Sequence, residues 1–208
     1  MKIQAIAPSP HIQGRYLIHL EDGSVLKVTD NEVVSFHLFT GRELEEETLA
    51  ALKEAAGESN AKALAAKIIG RKPMSRKSLL QKLEEKGIDP EDAQTAADWL
   101  EELGALDDQA YAETVVRYYS QRGYGRKKLE TELYRRGVPK DCWEAALLEA
   151  LPPENGVDKL LASKLRGKDP SDPKEIKRVS DALMRRGYSW SEIKEGLRRY
   201  GSDLENED

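Results

Sequence analysis

Cysteine occurs once in the 208 residues, at Cys142. An internal disulfide is thereby excluded, and the usage fits a reducing compartment. Histidine is nearly as scarce: His11, His19 and His37 all fall within the first forty residues. With no pair of Cys or His at ligand spacing, a metal site has no donor set, and none is expected. Aromatic residues make up 6% and hydrophobic ones 39% of the chain, with a mean hydropathy of −0.67. That is little for one thick core; it suits several small helical units with much surface for their volume. No run approaches the roughly 18 apolar residues of a membrane span. Met1-Lys2-Ile3-Gln4-Ala5 also lacks the apolar stretch and cleavage site of a secretion signal. A soluble, cytoplasmic monomer with no membrane contact is expected.

An overall basic excess is missing too. The net charge of −5 argues against a simple nucleic-acid binder. The charge is unevenly placed, however. Residues 1–60 hold five Lys+Arg against ten Asp+Glu, whereas residues 109–150 hold eight against six. Asp203, Glu205, Glu207 and Asp208 read as a frayed acidic tail.

What the chain does have is a repeat. Lys82-Leu83-Glu84-Glu85-Lys86-Gly87-Ile88 is echoed by Glu132-Leu133-Tyr134-Arg135-Arg136-Gly137-Val138 and by Ala182-Leu183-Met184-Arg185-Arg186-Gly187-Tyr188, at intervals of fifty residues. In each copy a Leu stands four places before the Gly, a basic residue directly before it, and a large apolar residue directly after. A Gly one place past a helix takes the left-handed conformation that closes it, and a basic last turn complements the helix dipole. The next helix starts at once, with Asp89-Pro90 as cap and first-turn proline and Ser189 with Glu192 as a capping box. Ile88 with Ala93, Val138 with Trp143, and Tyr188 with Ile193 have the spacing of hydrophobic staples. Pro139 stands in the cap position of the middle copy, so a less tightly capped start is expected there.

Each unit then reads as three helices. The first carries Ala61, Ala65, Ile68 and Ile69, then Leu79, Leu80 and Leu83, then Ala93, Ala96, Ala97 and Leu100. The second, capped by Asp107 or Asp108, carries Tyr111, Ala112, Val115, Val116 and Tyr119, then Leu129 and Leu133, then Trp143, Ala146, Leu147 and Ala150, with Pro152-Pro153 as the stop. The third carries Leu160, Leu161 and Leu165, then Ile176, Val179 and Leu183, then Ile193 and Leu197, with a Pro-rich loop from Gly167 to Pro173. Tyr16 to Leu20 and Ser24 to Val28 flank Glu21-Asp22-Gly23, a hairpin signal, and Lys2 to Ile6 offer a further strand. The expected fold is mostly α: a tandem, curved array of three three-helix repeats behind a small N-terminal β-hairpin and helix domain. The boundaries read as 1–57 for that domain, with short helices over 30–39 and 43–56 and a link at Gly57 to Asn60. The repeats follow over 58–106, 107–153 and 154–201, with the acidic tail over 202–208.

No catalytic constellation stands out. Cys142 has no nearby His and aligns with Asp92 and Glu192 of the sister repeats, which is a solvent-facing pattern. Gly123-Tyr124-Gly125-Arg126-Lys127-Lys128 has neither the preceding strand nor the third glycine of a phosphate-binding loop, and reads as a turn between helices. The chain is read as a binding protein rather than an enzyme, with no cofactor.

The candidate binding residues are basic and gather around the second helix of each unit. They are Arg117, Arg122, Arg126, Lys127, Lys128, Arg135 and Arg136 in the middle unit, where only Glu130 and Glu132 interrupt them. Arg76 and Lys77, beside Lys82 and Lys86, take related places in the first unit. Arg185 and Arg186, beside Lys174, Lys177 and Arg178, do so in the third. Such a set meets phosphates or an acidic protein surface, although any one charge on a helix is as readily a solvated one. Tyr118, Tyr124 and Tyr134 lie among them, suited to base stacking or to packing between units. Leu83, Gly87, Leu133, Gly137, Leu183 and Gly187 are read as the structural repeat.

Leu103-Gly104-Ala105-Leu106-Asp107-Asp108-Gln109-Ala110-Tyr111-Ala112, the stretch from Arg122-Gly123-Tyr124-Gly125-Arg126 to Gly137-Val138, and Leu183-Met184-Arg185-Arg186-Gly187-Tyr188-Ser189 together resemble the RecX family of bacterial regulators over about residues 60–200. The hairpin resembles the extension of some members. Gly125 departs from the proline often found before the basic run, and Pro139 from the regular cap. The resemblance implies a modulator of the RecA recombinase that binds the groove of the RecA filament on single-stranded DNA. Such a protein blocks strand exchange and ATP hydrolysis or promotes disassembly, and so tunes recombination, the SOS response and DNA repair. Two other readings of the residues stay open: an independent helix-turn-helix-like DNA binder, and a helical protein–protein scaffold.

Overall fold

A computed structural model describes residues 1–10, 12–150, 156–169 and 172–205, with the backbone alone for 149–150 and 202–205. His11, the Pro152-Pro153 stop, part of the Pro-rich loop and residues 206–208 lie outside the described residues. Two compact units divide the chain, Met1–Leu106 and Asp107–Asp208.

The first unit opens with an antiparallel sheet in the order β1 (Ile3–Pro8), β2 (Arg15–Leu20), β3 (Val25–Thr29). Alternation decides which face is buried: Ile18 and Leu20 of β2 point inward, with Ile6 and Leu26 opposite Ile18 and Ile3 opposite Leu20. The Asp-Gly turn forms as expected, with Gly23 at φ +81° and its N–H donating to the Leu20 carbonyl at 3.0 Å. A short α1 (Asp30–Ser35) is closed at its start by Glu32, which accepts from the Thr29 backbone and hydroxyl at 2.5 and 2.6 Å.

The link expected at Gly57 to Asn60 does not exist. Instead of a short helix ending at 56, α2 runs unbroken from Glu46 to Ile69. Its N-terminal half buries Leu49, Leu52 and Ala56 against the sheet, and its C-terminal half buries Ala61 and Ala65 in the first repeat. The five-residue step from Ala56 to Ala61 turns the apolar face by about 140° at ~100° per residue. Two partners for one helix therefore look, in sequence, like two elements and a polar linker. Gly57 lies inside this helix and close to Asp92, whose carboxylate would have to shift to admit a Cβ there. Asn60 stitches the helix to the sheet by donating to the Lys27 carbonyl at 2.9 Å. The α1 helix likewise stops at Ser35, short of 39.

With α3 (Arg76–Glu84) and α4 (Pro90–Glu102), α2 completes the first three-helix repeat around Leu79, Leu83, Ala93, Ala96, Ala97 and Leu100. In the second unit, α5 (Asp108–Ser120), α6 (Arg126–Arg135) and α7 (Trp143–Ala150) enclose Ala112, Val115, Val116, Leu129, Leu133, Ala146 and Leu147. The third repeat is α8 (Gly156–Leu165), α9 (Pro173–Arg185) and α10 (Trp190–Glu205), around Val157, Leu161, Leu165, Val179, Leu183 and Ile193. The backbone of α10 is helical through Glu205, into the segment expected as a frayed tail. Ile193, Leu197, Tyr200 and Leu204 continue the helical spacing that carries it there.

The Leu-x-x-x-Gly element has one geometry in all three copies. Gly87, Gly137 and Gly187 have φ of +76°, +68° and +91°. The N–H of the following Ile88, Val138 or Tyr188 reaches back to the carbonyl of Leu83, Leu133 or Leu183, at 3.1, 3.1 and 3.2 Å. This is the Schellman closure, and it brings the apolar residue after the glycine over the buried leucine. Asp89 accepts from the Glu91 N–H at 2.9 Å, and Ser189 and Glu192 form their reciprocal box. Pro139 offers no side-chain cap, and α7 is preceded by a 3₁₀ turn over Lys140–Cys142.

Candidate functional site

The basic residues of α6 divide by what holds them. Glu132 points into the repeat, 4% exposed, because it shares the inner side of α6 with Leu129 and Leu133. Lys128 donates to its carboxylate at 2.8 Å, Arg135 at 3.4 Å, and Arg136 from the following turn. Arg136 also donates to the Tyr119 hydroxyl at 3.1 Å, its guanidinium 5.3 Å from that ring's centre. Burial alone would raise the Glu132 pKa; hydrogen bonds from Lys128, Arg136 and Tyr119 outweigh it and hold the group at about 2. Arg126 is tied down separately, to Glu144 at 2.7 Å and Glu130 at 2.9 Å. It clamps the start of α6 to the start of α7.

The remaining cations face outward. Arg117, Arg122 and Lys127 are exposed, and so is Arg135 despite its long contact to Glu132. Arg122 lies 3.4 Å over the Tyr118 ring, and both are exposed. Lys127, Thr131, Tyr134 and Arg135 form one outward stripe of α6, with Tyr134 73% exposed. Tyr124 is different: half-buried, it packs on the repeat-2 core 5.7 Å from Tyr119.

In the first repeat, Arg76 is turned onto α4, bonded to Asp98 at 2.6 Å, Glu101 at 2.7 Å and Gln94 at 2.7 Å. Lys77 is exposed, but Glu84 and Glu85 stand where the second repeat has Tyr134 and Arg135. The outward stripe thus changes sign between repeats 1 and 2. In the third repeat Lys174, Lys177, Arg178 and Arg185 are exposed.

Arg186 is spent on packing. Its guanidinium donates to the carbonyl of Arg122 at 3.0 Å and lies 5.5 Å from the Tyr124 ring. Around it the end of α9 docks on the start of α6: the N–H groups of Gly125 and Lys127 donate to the carbonyls of Arg186 and Gly187 at 2.9 and 3.1 Å. Two helix ends thereby satisfy each other's orphan groups. A Cβ on Gly125 would lie 2.7 Å from the Gly187 carbonyl, so the departure from proline at 125 fits this close approach.

Sequence reasoning gathered these cations around the second helices, whereas Arg117 stands in α5 and Arg122 in the turn before α6, and it missed Glu132 as the organiser of Lys128, Arg135 and Arg136. The signal was present, since Lys128 and Arg136 stand four residues either side of it. It also misjudged Cys142, which is half-buried against the repeat-2 core rather than solvent-facing. Burial first, then Asp141 and its neighbours, raise that thiol's pKa, which disfavours the nucleophilic thiolate. His19 lies in β2, and His37 follows α1 in a turn at φ +50°. Among the described residues no three or more His, Cys, Asp or Glu side chains converge as a metal site, and no helix is long and apolar enough to cross a membrane.

Comparison with known proteins agrees with this architecture repeat by repeat. Residues 61–100 match the first three-helix domain of RecX, 107–147 the second and 157–197 the third. The regulatory protein RecX of Xanthomonas axonopodis pv. citri is 34% identical over 133 residues, covering 63% of this chain and 82% of the relative. That of Chlorobium limicola is 32% identical over 157 residues, covering 72% and 96%. A crystal structure of a regulatory protein RecX has the same fold, with a TM-score of 0.71 at 23% identity over 95% of this chain and 98% of that one. Three family domains in their family order, on relatives matched over most of their length, establish that the chain belongs to the RecX family.

Proposed function

We propose that the protein regulates the RecA recombinase, binding the RecA filament on single-stranded DNA and restraining recombination, the SOS response and repair. The observation that carries the reading is the ordered match of all three repeats to RecX. The protein acts by binding, without chemistry of its own. Its contact residues are those left facing solvent: Arg117, Arg122, Lys127 and Arg135 with Tyr118 and Tyr134 in the second repeat, Lys77 in the first and Arg185 in the third. Exposed cations beside exposed rings suit a phosphate backbone with unstacked bases. Several weak contacts on one chain add up when the target is itself repetitive.

The independent helix-turn-helix reading is disfavoured by charge. In a three-helix DNA-binding module the third helix enters the major groove. Here α4 carries Glu91, Asp92, Asp98, Glu101 and Glu102 with no Lys or Arg, α7 carries Glu144 and Glu149 with none, and α10 sets Lys194, Arg198 and Arg199 against Glu192, Glu195, Asp203 and Glu205. The test is ATP hydrolysis by RecA on single-stranded DNA with increasing amounts of the protein. Inhibition at or below stoichiometric ratios is expected; unchanged hydrolysis and strand exchange would overturn the reading.

A further inference from the structure

Aligned on the Leu-x-x-x-Gly element, Lys128, Glu132 and Arg135 of α6 correspond to Arg178, Ala182 and Arg185 of α9, fifty residues on. Two cations are kept, and the carboxylate that serves them in repeat 2 is replaced by a methyl group. The space beside Ala182 is a cleft of about 260 Å³ lined by Lys164, Lys168, Arg178, Val179, Ala182 and Arg185. Among the described residues four cations and no carboxylate line it. Glu175 stands nearby and takes Lys168 at 2.7 Å and Arg178 at 3.8 Å. The hydrogen bond from Lys168 lowers its pKa, so it remains ionised and holds those two side chains. Among the described residues neither Lys164 nor Arg185 has a carboxylate partner.

Repeat 2 therefore shows what this arrangement of cations is built around: an oxyanion. We propose that the repeat-3 cleft receives a phosphate oxyanion of a nucleic-acid backbone, in the place where repeat 2 has its own carboxylate. Val179 and Ala182 give a small apolar floor, and among the described residues no aromatic ring lines the cleft to hold a base. The phosphate ester is recognised, not the nucleoside. Lys164, Lys168 and Arg178 join the contact surface on this ground; repeat 1 has no counterpart of the oxyanion arrangement, with Lys82 in place of the carboxylate and Ser78 and Glu85 in place of the two flanking cations. The inference rests on the nucleic-acid half of the proposed function.

Binding of a fluorescent oligothymidylate to the full chain, followed by anisotropy across a range of salt concentrations, tests both. Ala182→Glu supplies the cleft with the carboxylate of repeat 2, and Lys164→Gln removes one cation from an accessible rim. Each is expected to weaken binding several-fold and to lower the log–log salt slope by about one. Ala182→Glu should melt no lower than the parent protein, because the new carboxylate meets cations as Glu132 does. Wild-type binding with affinity and slope unchanged in both variants would overturn the cleft and leave the proposed function standing. No binding by the wild type would overturn the cleft together with the nucleic-acid half of the proposed function, while RecA regulation is judged separately by ATP hydrolysis. Free ATP competing as well as a second oligonucleotide, at equal phosphate concentration, would overturn the backbone assignment in favour of a nucleotide.

Discussion

Glu132 is the terminus of three cationic side chains, Lys128, Arg135 and Arg136. Replacing it with Gln leaves a neutral amide among them and removes the charge-assisted bonds. A loss of about 2–3 kcal/mol is expected, bounded by the displacement of its pKa and reduced by the partial exposure of its partners. Urea unfolding at neutral pH measures it. The pH dependence has a definite sign. With the folded-state pKa at about 2 and the ordinary value at 4.5, the stabilisation is complete above pH 4.5 and disappears as pH falls towards 2. The gap between wild type and Glu132→Gln should therefore close over that window; a gap independent of pH would contradict the assignment. In the sequence Glu132 is one carboxylate among many; cations at both four-residue steps, Lys128 and Arg136, set it apart from Glu130, but its burial is not legible there.

Among the elements, the second helix of each repeat ends in the same way, but the three glycines do not have the same surroundings. A Cβ at Gly87 meets nothing within 4 Å, whereas one at Gly187 would lie 2.6 Å from the Lys128 Cβ and 3.0 Å from the Gly125 carbonyl oxygen. Gly87→Ala should cost about 1–2 kcal/mol, the left-handed backbone penalty alone. Gly187→Ala adds a backbone collision and should cost clearly more; equal losses in thermal unfolding would refute the docking of α9 on α6. The shared closure was legible in sequence because a positive φ selects glycine at fixed spacing. The docking was not, since nothing local marks Gly187 as different from Gly87. The unbroken α2 was hidden for a related reason: Ala56 and Ala61 answer to different partners, and Gly57-Glu58-Ser59-Asn60 between them has the composition of a loop.

For the whole molecule, seven basic residues of repeat 2 that read alike in sequence separate into two populations with different duties. Arg126, Lys128 and Arg136 are committed internally; Arg117, Arg122 and Lys127 face outward, as does Arg135, which alone of the outward set keeps a long contact to Glu132. Changing Arg117, Arg122 and Lys127 to Ala should raise the concentration for half-inhibition of RecA by roughly tenfold while leaving the melting temperature within a degree or two, the usual reach of surface substitutions. Changing the internal three should lower the melting temperature markedly. Unfolding curves and ATPase titrations on the same preparations separate the two, and the opposite pattern would reverse the assignment of the binding face. The sequence pointed to the basic helices but could not show which charges were already satisfied.

The mutual seating of Gly125 and Lys127 on Arg186 and Gly187 also bears on how the chain is made. A polypeptide emerging from the ribosome releases the start of α6 some sixty residues before the carbonyls that complete it. Until α9 has been extruded and closed, the opening amides of α6 have only water to bond. Repeat 2 therefore matures late, together with its neighbour, and a message truncated after residue 150 yields a middle repeat with a frayed entrance.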